Sequence, residues 1–352
     1  KRKGIGIIMR KRLSILLLAL SVAMMSMTAC SSKGSSETAG TTADAGTVAA
    51  DGAEGKKDVS SQKYILCTYN STEYFQRQIW AGFQQAGEML GVQTELVGDT
   101  GEDVMKYLTR LDSAIAMNPD GISVMCLDGD AYVDGINKAM DKDIPVVTIA
   151  PDSPNSKRIS FLGVNNVEIG KFGASVVGEA VDGKGEVLIL TKLGIPDCDQ
   201  MISGFEQYAA ENYPDLKTLV VPASLDLTDQ TSKAASAISA NPNINAAYCP
   251  LGWQAVAVYK ACEELGIEPF PILGADCELA QLELIRDGKL LGTVRQGTST
   301  QGFWACLSLY LLNNGYITPE HFPSTIYSGY DLIDQSNVQE EIDFYHKFND
   351  GQ

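Results

Sequence analysis

The side chains best suited to chemistry in this sequence are carboxylates, amides and aromatic rings that follow short apolar runs. Asn70, Glu73, Tyr74, Phe75 and Gln76 come just after the run Tyr64 to Tyr69. Asp128 follows Ile122 to Leu127, Asp152 follows Val146 to Ile149, and Asp276 follows Ile272 to Ala275. Trp253 follows Ile244 to Cys249 through Pro250-Leu251-Gly252, and Gln296 closes the run Leu291 to Arg295. Such a set can do one of two things. Opposed carboxylates can hydrolyse a glycosidic bond as acid and base. Alternatively, carboxylates and amides can pair with ligand hydroxyls while rings cover the apolar faces of the ligand. Hydroxyl recognition is the simpler account. The sequence has no GxSxG, no HExxH and no GxxxxGK[ST], and His321 and His346 are its only histidines. It is therefore read as a binding protein that is not an enzyme and uses no cofactor or metal.

These residues need elements to position them. From Tyr64 the chain alternates strand and helix almost without interruption, which predicts parallel sheets with helices on both faces. The stretch Ile144 to Gly170 is the pivot. Its β-branched run Val146-Val147-Thr148-Ile149 reads as a strand buried on both faces. The polar loop Ala150 to Pro154 follows, then a second apolar run, Ile159 to Val164, and a helix striped by Ile169, Phe172 and Val176. This is the pattern of half a cleft followed by a hinge. Asn166 sits where it can cap that helix or face a ligand. Asn241-Pro242-Asn243 before Ile244 then repeats Asn118-Pro119-Asp120 before Ile122, so the folded part reads as two similar halves. Ligands of open α/β sheets gather beyond the carboxyl ends of the strands, where the polar residues above fall. Phe75 also fits a buried helix stripe, and Trp253 is either a stacking wall or core.

The chain has 352 residues and a formal net charge of −17. Six of the 27 basic side chains stand in the first twelve positions, so the rest is more acidic still, which argues against nucleic acid as a partner. Those basic residues precede the apolar stretch Leu13 to Met27, too short to span a bilayer comfortably. This is the layout of a secretory signal, with Met9 a plausible start. Ser31 to Gln62 is almost wholly small and polar, and reads as a flexible tether. The other cysteines, Cys67, Cys126, Cys198, Cys249, Cys262, Cys277 and Cys306, are odd in number and lack a CxxC spacing, so neither a zinc site nor a disulfide framework is indicated. Most read as small buried hydrophobes.

Two resemblances follow from these residues. Met27-Thr28-Ala29-Cys30 resembles a bacterial lipobox, which implies lipidation at Cys30 and a membrane anchor outside the cytoplasm. The folded part, from about Tyr64 to Val338, resembles the type I solute-binding proteins of ABC importers, the group of the ribose- and galactose-binding proteins. The matching pieces are Pro119-Asp120-Gly121-Ile122, Ile144 to Thr148, and Asn155-Ser156-Lys157-Arg158 leading to Gly163 and Asn166. Gly204-Phe205, Gly274-Ala275-Asp276, and Asp287-Gly288-Lys289-Leu290 followed by Gln296 complete the set.

The resemblance implies two Rossmann-like, doubly wound parallel-sheet lobes joined by a three-segment hinge. Its crossovers are expected near Val164-Asn165, Val294 to Gln296 and Thr318 to Ser324. Residues 1–29 would be the signal, 30–62 the tether, 63–164 with 295–319 the first lobe, and 165–294 with 320–352 the second. The implied function is capture of a small neutral solute, sugar or sugar-like, by a monomer that delivers it to a permease whose ATPase is a separate chain. A sensor that presents its ligand to a membrane receptor or histidine kinase would have the same fold. Asp276 and Gln296 match ligand-contact positions of the family, and the first loop is where the family places an aromatic against the sugar. Departures stand at Ala150, Met201 and Leu251-Gly252, where the family usually has an Asp, an Arg and an Asn-Asp pair. They leave open a smaller, modified or less hydroxylated ligand. Asp199-Gln200 with Pro250 resembles the autoinducer-2-binding branch, but that branch's first-loop Lys is missing between Tyr64 and Arg77. A nucleoside is a further alternative.

Overall fold

The computed structural model describes residues 58–98 and 104–350. The signal, Cys30 and most of the tether lie outside them. The first half runs β1 (Lys63–Cys67), α1 (Tyr74–Leu90), β2 (Gln93–Val97), α2 (Val104–Ala116), β3 (Gly121–Met125), α3 (Val133–Met140), β4 (Val146–Ile149) and β5 (Ser160–Gly163). The second runs α4 (Asn166–Ala180), β6 (Gly185–Thr191), α5 (Pro196–Asn212), β7 (Leu216–Pro222), α6 (Leu227–Ala240), β8 (Ile244–Tyr248), α7 (Gln254–Leu265), β9 (Ile272–Ala275), α8 (Leu279–Arg286) and β10 (Gly292–Gln296). The chain then continues through α9 (Thr298–Asn313), β11 (Thr325–Tyr327), β12 (Tyr330–Ile333) and α10 (Val338–Asp350).

Two six-stranded sheets result, ordered β2-β1-β3-β4-β5-β11 and β7-β6-β8-β9-β10-β12. Every pairing is parallel except that of β10 with β12. The expected fold of two doubly wound α/β lobes is what the chain adopts. The central strands are mainly apolar because both of their faces are covered. In β1 the period of two sends Tyr64 and Leu66 to a core with Ile79, Phe83 and Leu309, and Ile65 to a second core with Tyr107, Leu111 and Ile136. In β6, Val187 and Ile189 pack with Ile169 and Phe205, while Leu188 and Leu190 face Ala234, Ala257 and Leu282.

Helices close in on one another through glycine. A Cβ on Gly82 of α1 would lie against the Ser299 carbonyl of α9, and one on Gly302 against the Ile79 carbonyl of α1. Gly170 and Gly204 make the same reciprocal approach between α4 and α5. Only a residue without a side chain permits backbones this near.

Two boundaries differ from expectation. The tether does not run to Gln62. Gln62 is buried, exchanges amide hydrogen bonds with Asn314 at 2.9 and 3.0 Å, and takes the Tyr64 hydroxyl at 2.8 Å, so the lobe already holds it. At the other end, β11 adds to the first sheet beside β5, so the chain from 320 does not pass straight to the second lobe. The third crossover falls at Ser328-Gly329, after the expected Thr318 to Ser324. The crossovers lie side by side: Ser328 N–H donates to the Gly163 carbonyl at 2.8 Å, and Gly297 N–H to the Gly329 carbonyl at 3.2 Å. The seven cysteines of the described residues are all buried and unpaired. Among the described residues no helix is long and apolar enough to cross a membrane.

Candidate functional site

A cavity of about 320 Å³ opens at the carboxyl ends of the strands, with one wall from each lobe. The first wall is built by Tyr69 after β1, Glu73, Phe75 and Gln76 at the start of α1, Leu127 after β3, and Ala150-Pro151 after β4. The second has Asp197 and Met201 in the first turns of α5, Gln230 from α6, Leu251 to Trp253 after β8, and Asp276 and Glu278 after β9. Gln296, the last residue of β10, also lines it and stands immediately before a crossover.

Asp276 is the most tightly positioned of these. Its backbone has a positive φ of 64°, a conformation that Asp tolerates better than most residues. The loop is pinned from beneath. Gln281, fully buried, donates its amide to the carbonyls of Ala275 and Asp276 at 2.8 and 3.0 Å, and Thr293 Oγ1 donates to the Asp276 carbonyl at 2.7 Å. The Asp276 carboxylate receives Gln296 Nε2 at 3.3 Å and the Gly252 N–H. Burial nonetheless pushes its pKa up to about 6, and the charges of Asp197 and Glu73 add to the rise. Asp197 is likewise pushed up to about 6 by burial, against a hydrogen bond from Asn166. Glu278 rises to about 7, through burial first and then Asp276 and Glu73. The cavity thus gathers carboxylates whose charged forms are disfavoured by desolvation and by one another.

Of the residues singled out from sequence, Glu73, Phe75, Gln76, Trp253, Asp276 and Gln296 line this cavity. Trp253 is 47% exposed, with φ 35°, at the start of α7, so it is a wall and not core. The others do not line it. Asn70 accepts from the N–H and hydroxyl of Thr72, as a loop cap. Tyr74 is buried against Tyr345 and Phe348 of α10, with centroids 4.3 and 5.7 Å away. Asp128 is exposed, and Asp152 is held by both Arg158 Nε and Nη2 at 2.6 Å. Gln200 is exposed on α5, one turn beyond Asp197. Asn166 acts at one remove, through its bond to Asp197; Asn165 is the helix cap instead.

Sequence reasoning missed Tyr69, Asp197, Gln230 and Glu278. Asp197 carried a usable signal, since it follows β6 behind Pro196, the first-turn proline of α5. Glu278 occupies the N-cap of α8 without capping it, and a carboxylate left free at that place points elsewhere.

Residues 64–316 match the family described as periplasmic binding protein domain. Among characterised relatives, the chain is 23% identical to the xylose/arabinose-binding protein XylF of Sulfolobus acidocaldarius over 297 residues, covering 79% of this chain and 72% of that one. AraP, an arabinose binding protein from Geobacillus stearothermophilus, superposes with a TM-score of 0.75 at 26% identity, over 80% of this chain and 99% of the other. A sugar-binding protein of a sugar ABC transporter from Bacillus halodurans gives 0.76 at 27% identity, over 79% and 99%. Two doubly wound lobes, three crossovers and a cavity between strand ends agree with that match, and the chain belongs to the periplasmic binding protein domain family, with the type I architecture, as a binding protein and not an enzyme.

Proposed function

We propose that this protein captures a small sugar-like solute outside the cytoplasm and delivers it to the permease of an ABC importer, tethered to the membrane through a lipid on Cys30. One observation supports this above the rest: a cavity the size of a small ligand, lined by both lobes at their strand ends, with Gln296 placed between the ligand space and a crossover. Its polar groups suit hydroxyls, and Phe75, Tyr69 and Trp253 offer faces for C–H surfaces. The relatives named for arabinose and xylose favour the same ligand class.

In this reading an open form exposes both walls, and the ligand favours closure through contacts it makes only when both walls are near. Tyr74 packed against Tyr345 with rings tilted by 44°, and Arg77 donating to Asn349 Oδ1 at 2.7 Å, join the α1 and α10 sides of the two lobes.

The test is a thermal-shift panel on the chain from Ser31 onward, with pentoses, hexoses, disaccharides, polyols, nucleosides and autoinducer-2. A ligand at a hundred times its Kd adds about 2.7 kcal/mol, a shift of several degrees at this size. A sharp response to a sugar-like compound supports the reading. A response confined to nucleosides or autoinducer-2 keeps the cavity and overturns the ligand class.

A further inference from the structure

We infer that the solute carries a protonated amine beside its hydroxyls, so that this is a site for an amino sugar and not for a neutral one. The inference rests on the capture reading above and specifies its ligand.

The first observation is the charge of the walls. Glu73 from the first lobe and Asp197, Asp276 and Glu278 from the second all line the cavity, and among the described residues no lysine, arginine or histidine does. Met201 lines it at the place where the sequence resemblance led to an arginine. The second observation is independent of charge. Gln76 and Gln230 line the cavity from opposite lobes, only 3% and 2% exposed, and each leaves its Oε1 without a hydrogen-bond partner. Their amide nitrogens are already used, Gln76 on the Tyr69 hydroxyl and Gln230 on the Ser224 carbonyl at 3.0 Å. Gln296 likewise directs its amide to Asp276.

The unmet capacity on both walls is therefore acceptor capacity. Buried acceptors left unpaired carry a desolvation cost that only a donor relieves. The hydroxyls of a neutral sugar can donate to these acceptors, but each also brings acceptor lone pairs, and none brings a charge to offset the acids. An ammonium brings three donors and no acceptor, and its charge offsets the repulsion among the acids. Tyr69, Phe75 and Trp253 supply π faces, which attract a cation as well as covering C–H surface. A bare metal ion is a poorer match: among the described residues no three acidic, histidine or cysteine side chains come together closely enough to hold one. Carboxylates spread around a cavity suit a molecule whose amine and hydroxyls are spread likewise. The raised pKa values of Asp197, Asp276 and Glu278 agree, since burial first and mutual repulsion second cause them, and a bound cation would oppose the rise by stabilising the ionised forms.

The experiment is titration calorimetry at pH 6.5, where the free amines are largely protonated and the raised acids still hold protons to release, with D-glucosamine, D-galactosamine and D-mannosamine, each beside its parent hexose and its N-acetyl derivative. Runs in two buffers of different ionisation enthalpy report proton release. The expected result is an amine bound at least tenfold more tightly than both neutral partners, with protons released on binding. That ratio should fall toward one in Asp197→Asn and Glu278→Gln, whose folding is checked by thermal melt. A charge-assisted hydrogen bond is worth roughly tenfold or more. If a parent hexose binds as tightly as its amine, the inference is overturned and sugar capture stands. If the folded protein binds putrescine but no sugar of either kind, the sugar reading fails, and the amino-sugar site with it. Silence to every probe overturns both.

Discussion

The two lobes have the same strand order, yet they handle the Asp that follows the fourth strand in opposite ways. In the first lobe, the Asp that ends β4 is neutralised at once. Asp152 is clasped by Arg158, which also reaches the Ser324 carbonyl at 3.0 Å, so a strand-end carboxylate has become a brace for the β4–β5 loop and the segment before β11. In the second lobe, Asp276 ends β9 and meets no cation. It takes donors from Gln296 and Gly252 and keeps a raised pKa toward the cavity. A strand-end Asp thus serves the scaffold or the ligand according to whether a guanidinium can reach it. The same topology fixes where the group stands and not what it is for.

That contrast can be broken most visibly at Asp276. Asp276→Ala should weaken ligand binding by about 1–3 kcal/mol, because it leaves ligand donors and Gln296 unpaired. Calorimetry with the best ligand of the panel checks this, and unchanged affinity would remove Asp276 from the site. Asp152→Ala should show the reverse profile. Affinity stays near that of the parent, while thermal stability falls by roughly 1–3 kcal/mol as Arg158 loses its bidentate partner. A loss of affinity without a loss of melting temperature would move Asp152 into the ligand site.

The acids of the second wall also set a pH dependence. Carboxylates whose folded pKa lies above the unfolded value bind more protons when folded, so their contribution to stability is present at low pH and lost as pH rises. For Glu278 the window runs from about 4.5 to about 7. In ligand-free protein, the stability of the parent relative to Glu278→Gln should therefore decline across that window. A flat difference would show that Glu278 is not held in a desolvated place. The smallest effect is expected at Gln296→Ala. One hydrogen bond lost at the crossover should cost about 0.5–1.5 kcal/mol of affinity and reduce ligand-induced compaction in small-angle scattering. Binding and closure equal to the parent would uncouple this residue from both.

Much of the fold was legible because its strands are buried on both faces and so read as unbroken apolar runs. Val146-Val147-Thr148-Ile149 needs no partner sequence to be recognised. β11 and β12 escaped for the complementary reason: they are three and four residues long, lie at sheet edges, and are largely half-exposed, too short for any period to show. The site was legible where a polar residue directly follows a strand, as at Asp276 and Gln296. It was obscured where pairing decides the role. Nothing in Asp152 alone tells that Arg158, across a loop, will fold back onto it. Asp197 was hidden in the opposite direction, because an acid in a first helical turn looks like a favourable end charge, and its bond to Asn166 appears only once α4 and α5 are packed.

The contact between α1 and α9 has a consequence for the order in which the molecule can assemble. Gln62 at the start of β1 pairs with Asn314, 252 residues later, and the core over β1 contains Leu309 from the end of α9. The first lobe therefore cannot complete itself from the first half of the chain. It must await nearly the whole of the second lobe, then the return through Gly297 and the addition of β11. Loops closed over such distances make folding slow. The amino-terminal half of the first lobe therefore stays incomplete until the last helices have been made.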